Sequence, residues 1–240
     1  MKKTTPKGMF ISGSFRRAGM TFYFKQGQMI ARVSRSMERR SCTLPQFVGR
    51  QKMRHSVALW QMLKWCKPMF TRHKTAYQGF LSLANQLPPV FVPKQGPTSE
   101  ASLLMPDLPV SDGTLPAVRL TIGETGGKAA LFTNLTASDM GRNEELVLYT
   151  AEQNIDGATP RVCFAVRKVS PDELTEVEGW LALVDDTFAD TMKGWALVRV
   201  DGERCSQQGL VTRCTYYEAF TTEEALQAAA KSYGGLTGME

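Results

Sequence analysis

Acidic residues are scarce in the first hundred positions of this 240-residue chain, where Glu38 and Glu100 are the only two. The same segment contains 18 lysines and arginines, so its formal charge is +16. Residues 101–240 reverse the balance, with 11 basic residues against 21 acidic ones and a formal charge of −10. Such an asymmetry indicates either a polyanionic partner for the basic half or neutralisation within or between subunits.

Histidines and paired cysteines are scarce as well. The chain has two histidines, His55 and His73, and five cysteines that show no C-x-x-C or C-x-x-H spacing. The odd number argues against a disulfide framework and the spacing against a zinc site, and together they favour a reducing, cytoplasmic location. Cys66 is the cysteine nearest to a histidine in sequence, but it falls on an apolar helical stripe, where a buried, inert thiol is expected. We therefore predict no catalytic residue, no metal, no cofactor and no enzymatic activity.

Long apolar runs are also missing. No stretch approaches the 18 apolar residues that a membrane-spanning helix needs. The apolar run at residues 9–11 is cut off by Ser12 and Gly13, so it is too short for the hydrophobic region of a signal peptide. We expect no membrane partner.

The pattern of the basic half predicts a β-hairpin followed by two helices. Strand-forming residues 21–24 and 29–33 flank a four-residue connection that contains glycine. The first helix is expected to begin after Thr43, with Pro45 in its first turn and Gln46 completing a capping box. A second helix is expected at 76–87.

Helical spacing divides the first helix into a buried stripe and a polar remainder. The stripe consists of Leu59, Met62, Leu63, Cys66 and Phe70. The side chains that fall largely off it are Arg50, Lys52, Arg54, His55, Lys64 and Lys67. A face of this kind is expected to be exposed and positively charged.

Residues 88–116 contain seven prolines in 29 positions, which favours a linker or an extended strap and a domain boundary. Beyond them the pattern changes to short strands, predicted at 117–122, 129–134, 145–151, 161–169, 179–185, 194–200 and 209–220. A final helix is predicted after Thr221, with Glu224 completing a capping box and glycines 234 and 235 ending it.

The predicted fold class is therefore α+β. A basic hairpin and helical region (1–87) is followed by a proline-rich linker or strap (88–116). An acidic, antiparallel, β-sandwich-like domain with a terminal helix (117–240) completes the chain.

The basic region is the part of the chain whose composition calls for a partner. Lysines and arginines supply sequence-independent affinity for phosphates, and interleaved aromatic residues can stack on unpaired bases. The candidate nucleic-acid-binding residues are Arg16, Arg17, Lys25, Arg32, Arg35, Arg39, Arg40, Arg50, Lys52, Arg54, Lys64 and Lys67. The aromatic residues Phe22, Phe24, Trp60 and Phe80 of the same region are expected to serve the core instead. No known motif accompanies the composition.

The layout resembles an uncharacterised bacterial family known as a domain of unknown function. The segment 43–46 followed by Arg50 is similar to the family's R-T-P-x-Q-x-x-x-R helix start, although Met53 stands where the family usually has an aromatic residue. The segments 112–116, 146–149 and 194–199 match its passage into paired strands. The resemblance implies a basic hairpin and helix followed by a β-rich half. It implies no activity, and the C-terminal helix is not part of the family pattern.

Two functions remain open from the sequence. The first is a non-enzymatic nucleic-acid-associated protein whose basic half contacts phosphates of DNA or RNA. The second is a structural assembly protein of a phage-like or surface particle, in which the basic arm docks on the acidic domain of a neighbouring subunit. The expected partner is accordingly a nucleic acid or an acidic protein surface, and the second function implies a homo-oligomer.

Overall fold

The structure is a computed structural model that describes residues 15–17, 20–25, 28–33, 42–94, 103–125, 128–139, 144–154, 161–184, 192–213 and 217–236. The chain divides into two compact units, residues 1–41 and 42–240.

The first unit contains a three-stranded antiparallel sheet. Its strands are β1 (Phe15–Arg17), β2 (Met20–Lys25) and β3 (Gln28–Val33), in the order β1-β2-β3. The pairing of β2 with β3 confirms the predicted hairpin, with two residues between the strands instead of four. Strand β1 was not predicted, because three residues are too few to show an alternating pattern.

The second unit combines three α-helices with short and long strands. In chain order its elements are α1 (Leu44–Leu63), β4 (Met69–Phe70), α2 (Ala76–Ala84), β5 (Pro109–Asp112), β6 (Leu120–Thr125), β7 (Lys128–Thr133), β8 (Glu145–Asn154), β9 (Arg161–Val169), β10 (Leu174–Val177), β11 (Trp180–Val184), β12 (Lys193–Asp201), β13 (Arg204–Cys205), β14 (Gln208–Gly209), β15 (Val211–Arg213) and α3 (Glu223–Ser232). This content confirms the α+β class, the β-rich C-terminal half and the terminal helix.

A central antiparallel sheet, in the order β13-β12-β8-β9 with β15 also paired to β12, organises this unit. Because side chains alternate along a strand, β12 presents Trp195 and Leu197 to one core and Ala196 and Val198 to another. Residues on both faces are buried, which explains why β12 is an almost uninterrupted apolar run.

The two faces of the central sheet have different neighbours. The Trp195 face packs against a second sheet, in the order β10-β11-β7-β6, through residues such as Leu131 and Leu183. The opposite face packs against α1 and α2 through residues such as Leu59 and Phe80. We call α1, α2 and the turn between them the helical layer. The two facing sheets confirm the predicted sandwich-like arrangement.

Helix α1 begins as the sequence predicts. Thr43 has extended backbone angles, and its N–H donates to Oε1 of Gln46 at 3.4 Å. Leu59, Leu63 and Cys66 of the predicted stripe are buried, whereas Met62 is partly buried. The placement of His55 off the stripe was wrong: its side chain is buried, and Nε2 donates to the carbonyl oxygen of Leu103 at 3.0 Å.

The proline-rich segment is built into the core wherever the structure describes it. Buried apolar residues stand between its prolines, namely Val90, Phe91, Val92, Leu103, Leu104, Met105, Leu108 and Val110. Strand β5 pairs with β4 in parallel and with β14 in antiparallel orientation. The described part therefore packs into the core of the second unit, which begins at Cys42. Proline density marks a break in regular hydrogen bonding and carries no information about exposure.

A glycine allows the end of β5 to approach β13. A Cβ atom on Gly113 would lie 2.0 Å from the carbonyl oxygen of Cys205, a distance that no side chain tolerates. The same carbonyl accepts a hydrogen bond from the N–H of Leu115. The segment 112–116 therefore contains glycine at position 113 for a steric reason.

The terminal helix α3 starts one residue later than expected. Thr222, and not Thr221, is the N-cap, and its Oγ1 accepts from the N–H of Ala225 at 3.2 Å. The glycine stop is confirmed, because Gly234 and Gly235 have positive φ angles and their N–H groups return to the last turn of the helix. Among the described residues, no helix combines the length and apolarity needed to cross a membrane.

Candidate nucleic-acid interface

The helical layer and the first part of the strap lie in the longest part of the chain without negative charge. No aspartate or glutamate lies between Glu38 and Glu100. Cations that this stretch exposes can therefore be neutralised only by residues from elsewhere in the chain.

The surface that α1 turns away from the sheets carries basic residues. Its opposite side buries Phe47, Gln51 and Leu59, while Arg50 and Arg54 are exposed, as is Lys64 in the 3₁₀ turn that follows the helix. At 1.5 Å per residue, Arg50 and Lys64 are about 21 Å apart along the axis. The basic side chains therefore form two groups, one around Arg50 and Arg54 on the helix and one at Lys64, just after its end.

Two cations of α1 already have partners within the protein. The Nζ atom of Lys52 donates to the carbonyl oxygen of Asn85, the C-cap of α2, at 3.1 Å. A cation in this position stabilises the carbonyl end of a helix. The guanidinium of Arg54 lies over the ring of Tyr233, 5.6 Å from its centroid. Lys52 thus holds two helices together, and Arg54 connects α1 with the end of α3.

An exposed corner forms where α1 ends. Lys64, Trp65 and Lys67 are all exposed, and Trp65 is 79% accessible to solvent. The Nζ atom of Lys64 lies 5.2 Å from the centroid of the Trp65 ring, a cation–π contact. Lys67 has a left-handed backbone with φ of 50° and precedes the buried Pro68. The turn therefore directs the chain into β4 and leaves the three side chains on the surface.

Aromatic rings continue from this corner to α2. Trp60 stands one helical turn before Lys64 and is half-buried. Its ring lies 5.3 Å from that of Phe80, which is fully buried, and 5.6 Å from that of Tyr77, which is 38% exposed. Trp60 thus joins the core to the surface. The prediction that Phe80 serves the core is confirmed, whereas Trp60 packs against the core and is only partly buried.

A buried carboxylate neutralises part of the turn between β4 and α2. Asp112 is 3% exposed, with Oδ1 3.3 Å from Nη1 of Arg72 and Oδ2 3.2 Å from Nε2 of His73. No local pattern could have predicted this contact, because Asp112 lies 39 residues beyond His73, in the predicted linker. The neighbouring Lys74 is exposed and forms no ion pair with any residue that the structure describes.

The thiols near this turn lie in the protein interior. Burial raises the pKa of the Cys66 thiol and that of the Cys205 thiol, because a thiolate loses its hydration there. Cys205 lies behind the turn, and its Sγ is 3.9 Å from Oγ1 of Thr71. Among the described contacts, His73 pairs with Asp112 and not with Cys66.

The remaining predicted basic residues belong to the first unit. Arg16 and Arg17 lie on β1, Lys25 on β2 and Arg32 on β3, where Arg16 and Arg32 both stand opposite Thr21 in the strand register. Arg35, Arg39 and Arg40 lie outside the described residues. The candidates that can be assigned a surface position are thus those on α1 and in the turn after it.

The other side of the central sheet has the opposite charge. Exposed acidic residues occupy strands β6 and β10 of the second sheet and the turns beside β10, namely Glu124, Asp172, Glu173, Glu176 and Glu178. Glu173 is paired with Arg167, 2.5 Å from its guanidinium. The second unit therefore carries its positive and negative surfaces on different layers.

Comparisons of the chain with protein-family models, curated proteins and solved structures find no match. The resemblance to the bacterial family of unknown function accordingly stays a prediction.

Proposed function

We propose that this chain is a non-enzymatic nucleic-acid-associated protein that contacts phosphates through its basic N-terminal half. One observation carries the proposal: the exposed cations Arg50, Lys64, Lys67 and Lys74 share a stretch without acidic residues and form no ion pair with the described residues. Unneutralised cations raise the local concentration of a polyanion and release counterions when they bind it.

The arrangement along α1 suits an extended polyanion. Its exposed cations span about 21 Å, the length of about six phosphates along one strand of a B-form duplex at a spacing of ~3.4 Å. Helix α1 is anchored by its buried side, so its exposed cations are held on a rigid element.

The proposal is tested by fluorescence anisotropy with labelled 20-nucleotide single strands and duplexes between 50 and 200 mM salt, concentrations at which phosphate contacts dominate the salt response. We expect binding whose affinity falls steeply with salt. The double variant Lys64→Glu/Lys74→Glu should lower affinity at 50 mM salt by about 100-fold, because each lost phosphate contact removes about 0.7–0.9 from the slope of log affinity against log salt.

A matched control has the same change of net charge on another surface. Arg119 and Arg204 are exposed and lie outside the helical layer, so Arg119→Glu/Arg204→Glu should change affinity only slightly. Equal losses in both double variants would reject the helical layer as the binding surface. Absence of binding to single strands and duplexes at 50 mM salt would reject the function.

A second function is favoured by the separation of charge within the second unit. We propose as the alternative that the basic helical layer of one copy docks on the acidic second sheet of the next, which gives head-to-tail assembly. Light scattering at low salt tests it: assembly should increase with protein concentration and decrease with salt. A monomer at high concentration and low salt would exclude it.

A further inference from the structure

Trp65 is the most exposed of the large apolar side chains that the structure describes, at 79%. An exposed tryptophan offers a broad flat surface to a partner and contributes little to the stability of the fold. Met53 and Tyr77, exposed by 44% and 38%, accompany it in the helical layer. This layer therefore presents exposed apolar side chains together with cations that form no ion pair with the described residues.

The surroundings of Trp65 favour a partner that has both negative charge and aromatic rings. The Lys64 ammonium lies over the ring at 5.2 Å, and Lys67 follows two residues later. An apolar protein surface would have to desolvate both ammonium groups without compensation. A nucleic acid supplies phosphates for the lysines and bases for the ring.

The geometry of this corner also favours a single strand over a duplex as the ligand. A flat indole ring can stack on a base only if that base is not already stacked and paired within a helix. Reading of a duplex would instead need polar side chains at base edges in a groove. At the corner, the exposed side chain between the two lysines is a tryptophan, Trp65.

From these contacts we infer that the corner of Lys64, Trp65 and Lys67 binds single-stranded nucleic acid, with a base stacked on Trp65 and the neighbouring phosphates on the lysines. This inference rests on the proposed function and specifies its ligand. Arg50, farther along the exposed side of α1, would contact another phosphate of the same strand.

The test compares ligands with equal phosphates and different bases. Anisotropy is measured at 50 mM salt with a 12-nucleotide oligo(dT), an abasic strand of the same length and a 12-base-pair duplex. We expect the chain to bind oligo(dT) about ten-fold more tightly than the abasic strand, since stacking on one aromatic side chain supplies a gain of this order. Quenching of tryptophan fluorescence should accompany binding.

Three variants locate the effect. Trp65→Ala should abolish the preference for oligo(dT) over the abasic strand, and Trp65→Phe should retain part of it. Trp180 is the matched control, because it is 47% exposed and lies on the second sheet, so Trp180→Ala should retain the full preference. Circular dichroism of each variant verifies that the fold is intact.

The outcomes separate this inference from the proposed function. Equal binding of oligo(dT), abasic strand and duplex, unchanged by Trp65→Ala, would overturn the single-strand site and leave phosphate binding in place. No binding to any oligonucleotide would overturn both. Binding to anionic phosphatidylserine vesicles in place of oligonucleotides, lost in Trp65→Ala, would overturn the inference and assign the corner to a lipid surface. Binding of oligo(dT) with the expected preference and variant pattern supports it.

Discussion

The helical layer and the second sheet lie on opposite faces of the same central sheet, and they solve the same packing problem with different surfaces. Each covers one face of β8 and β12 with fully buried apolar side chains, Leu59 and Phe80 on one side and Leu131 and Leu183 on the other. Their exposed charges have opposite signs. Packing does not require this difference, and we propose that the charge serves interactions with other molecules.

The largest expected loss of stability comes from substitutions in the two cores that these layers form with the central sheet. Phe80→Ala and Leu183→Ala each remove a fully buried side chain from a different face of the central sheet. We expect each to lower the free energy of unfolding by about 4 kcal/mol, through lost burial and the cavity left behind. Urea unfolding followed by circular dichroism measures it. A single transition in both variants would indicate one cooperative unit, whereas independent unfolding of either layer would contradict the equivalence of the two layers.

An effect of intermediate size is expected in the pH dependence of stability, because the helical layer contains the buried His55. Burial lowers the pKa of His55 to about 4, because its protonated form loses hydration. Below pH 6.5 the unfolded chain protonates this histidine, while the folded chain resists until about pH 4. The histidine's contribution to stability is therefore full above pH 6.5 and declines as pH falls between these values.

The expected loss between pH 7.5 and pH 5 is about 2 kcal/mol in the free energy of unfolding. His55→Gln retains a donor for the Leu103 carbonyl and removes the titration, so its pH dependence should be flatter by this amount. Urea unfolding at the two pH values provides the comparison. Parallel pH curves for the original chain and the variant would show that His55 does not control acid stability.

The smallest effect should be local to the helical layer. Oγ1 of Thr75 accepts from the N–H of Gln78 at 3.2 Å and caps α2. Thr75→Ala should cost about 1 kcal/mol. Amide hydrogen exchange in α2 should be faster than in the original chain. Exchange in β11 of the second sheet should change only as much as the loss of global stability requires. Thr75→Ser, which preserves the hydroxyl, is the control and should restore protection.

Much of the fold follows from local patterns. Alternation and turn residues located β2, β3, β8, β9 and β12 to within a few residues, and the Thr43 and Gln46 pair located the start of α1. Shorter strands such as β4, β5 and β10 were missed because two to four residues do not establish a period. The predicted second helix, 76–87, ends earlier, at Ala84.

The candidate site was predictable in composition and only partly in geometry. The helical spacing placed Lys64 off the buried stripe, where it is exposed. The same spacing treated Lys52 as another surface cation, although its ammonium is bound to the carbonyl of Asn85. The prominence of Trp65 could have been inferred from its position beside Lys64 and off the stripe.

The sequence by itself determined the separation of charge, the caps of α1 and the faces of the long strands, because each depends on residues close together in the chain. Only the tertiary structure decided which residues meet over long separations: His55 with Leu103, Asp112 with His73, and the strap with the core. Periodicity shows that a residue is on one face of an element. It does not show what covers that face, and this packing decides whether a polar side chain is paired, buried or left for a partner.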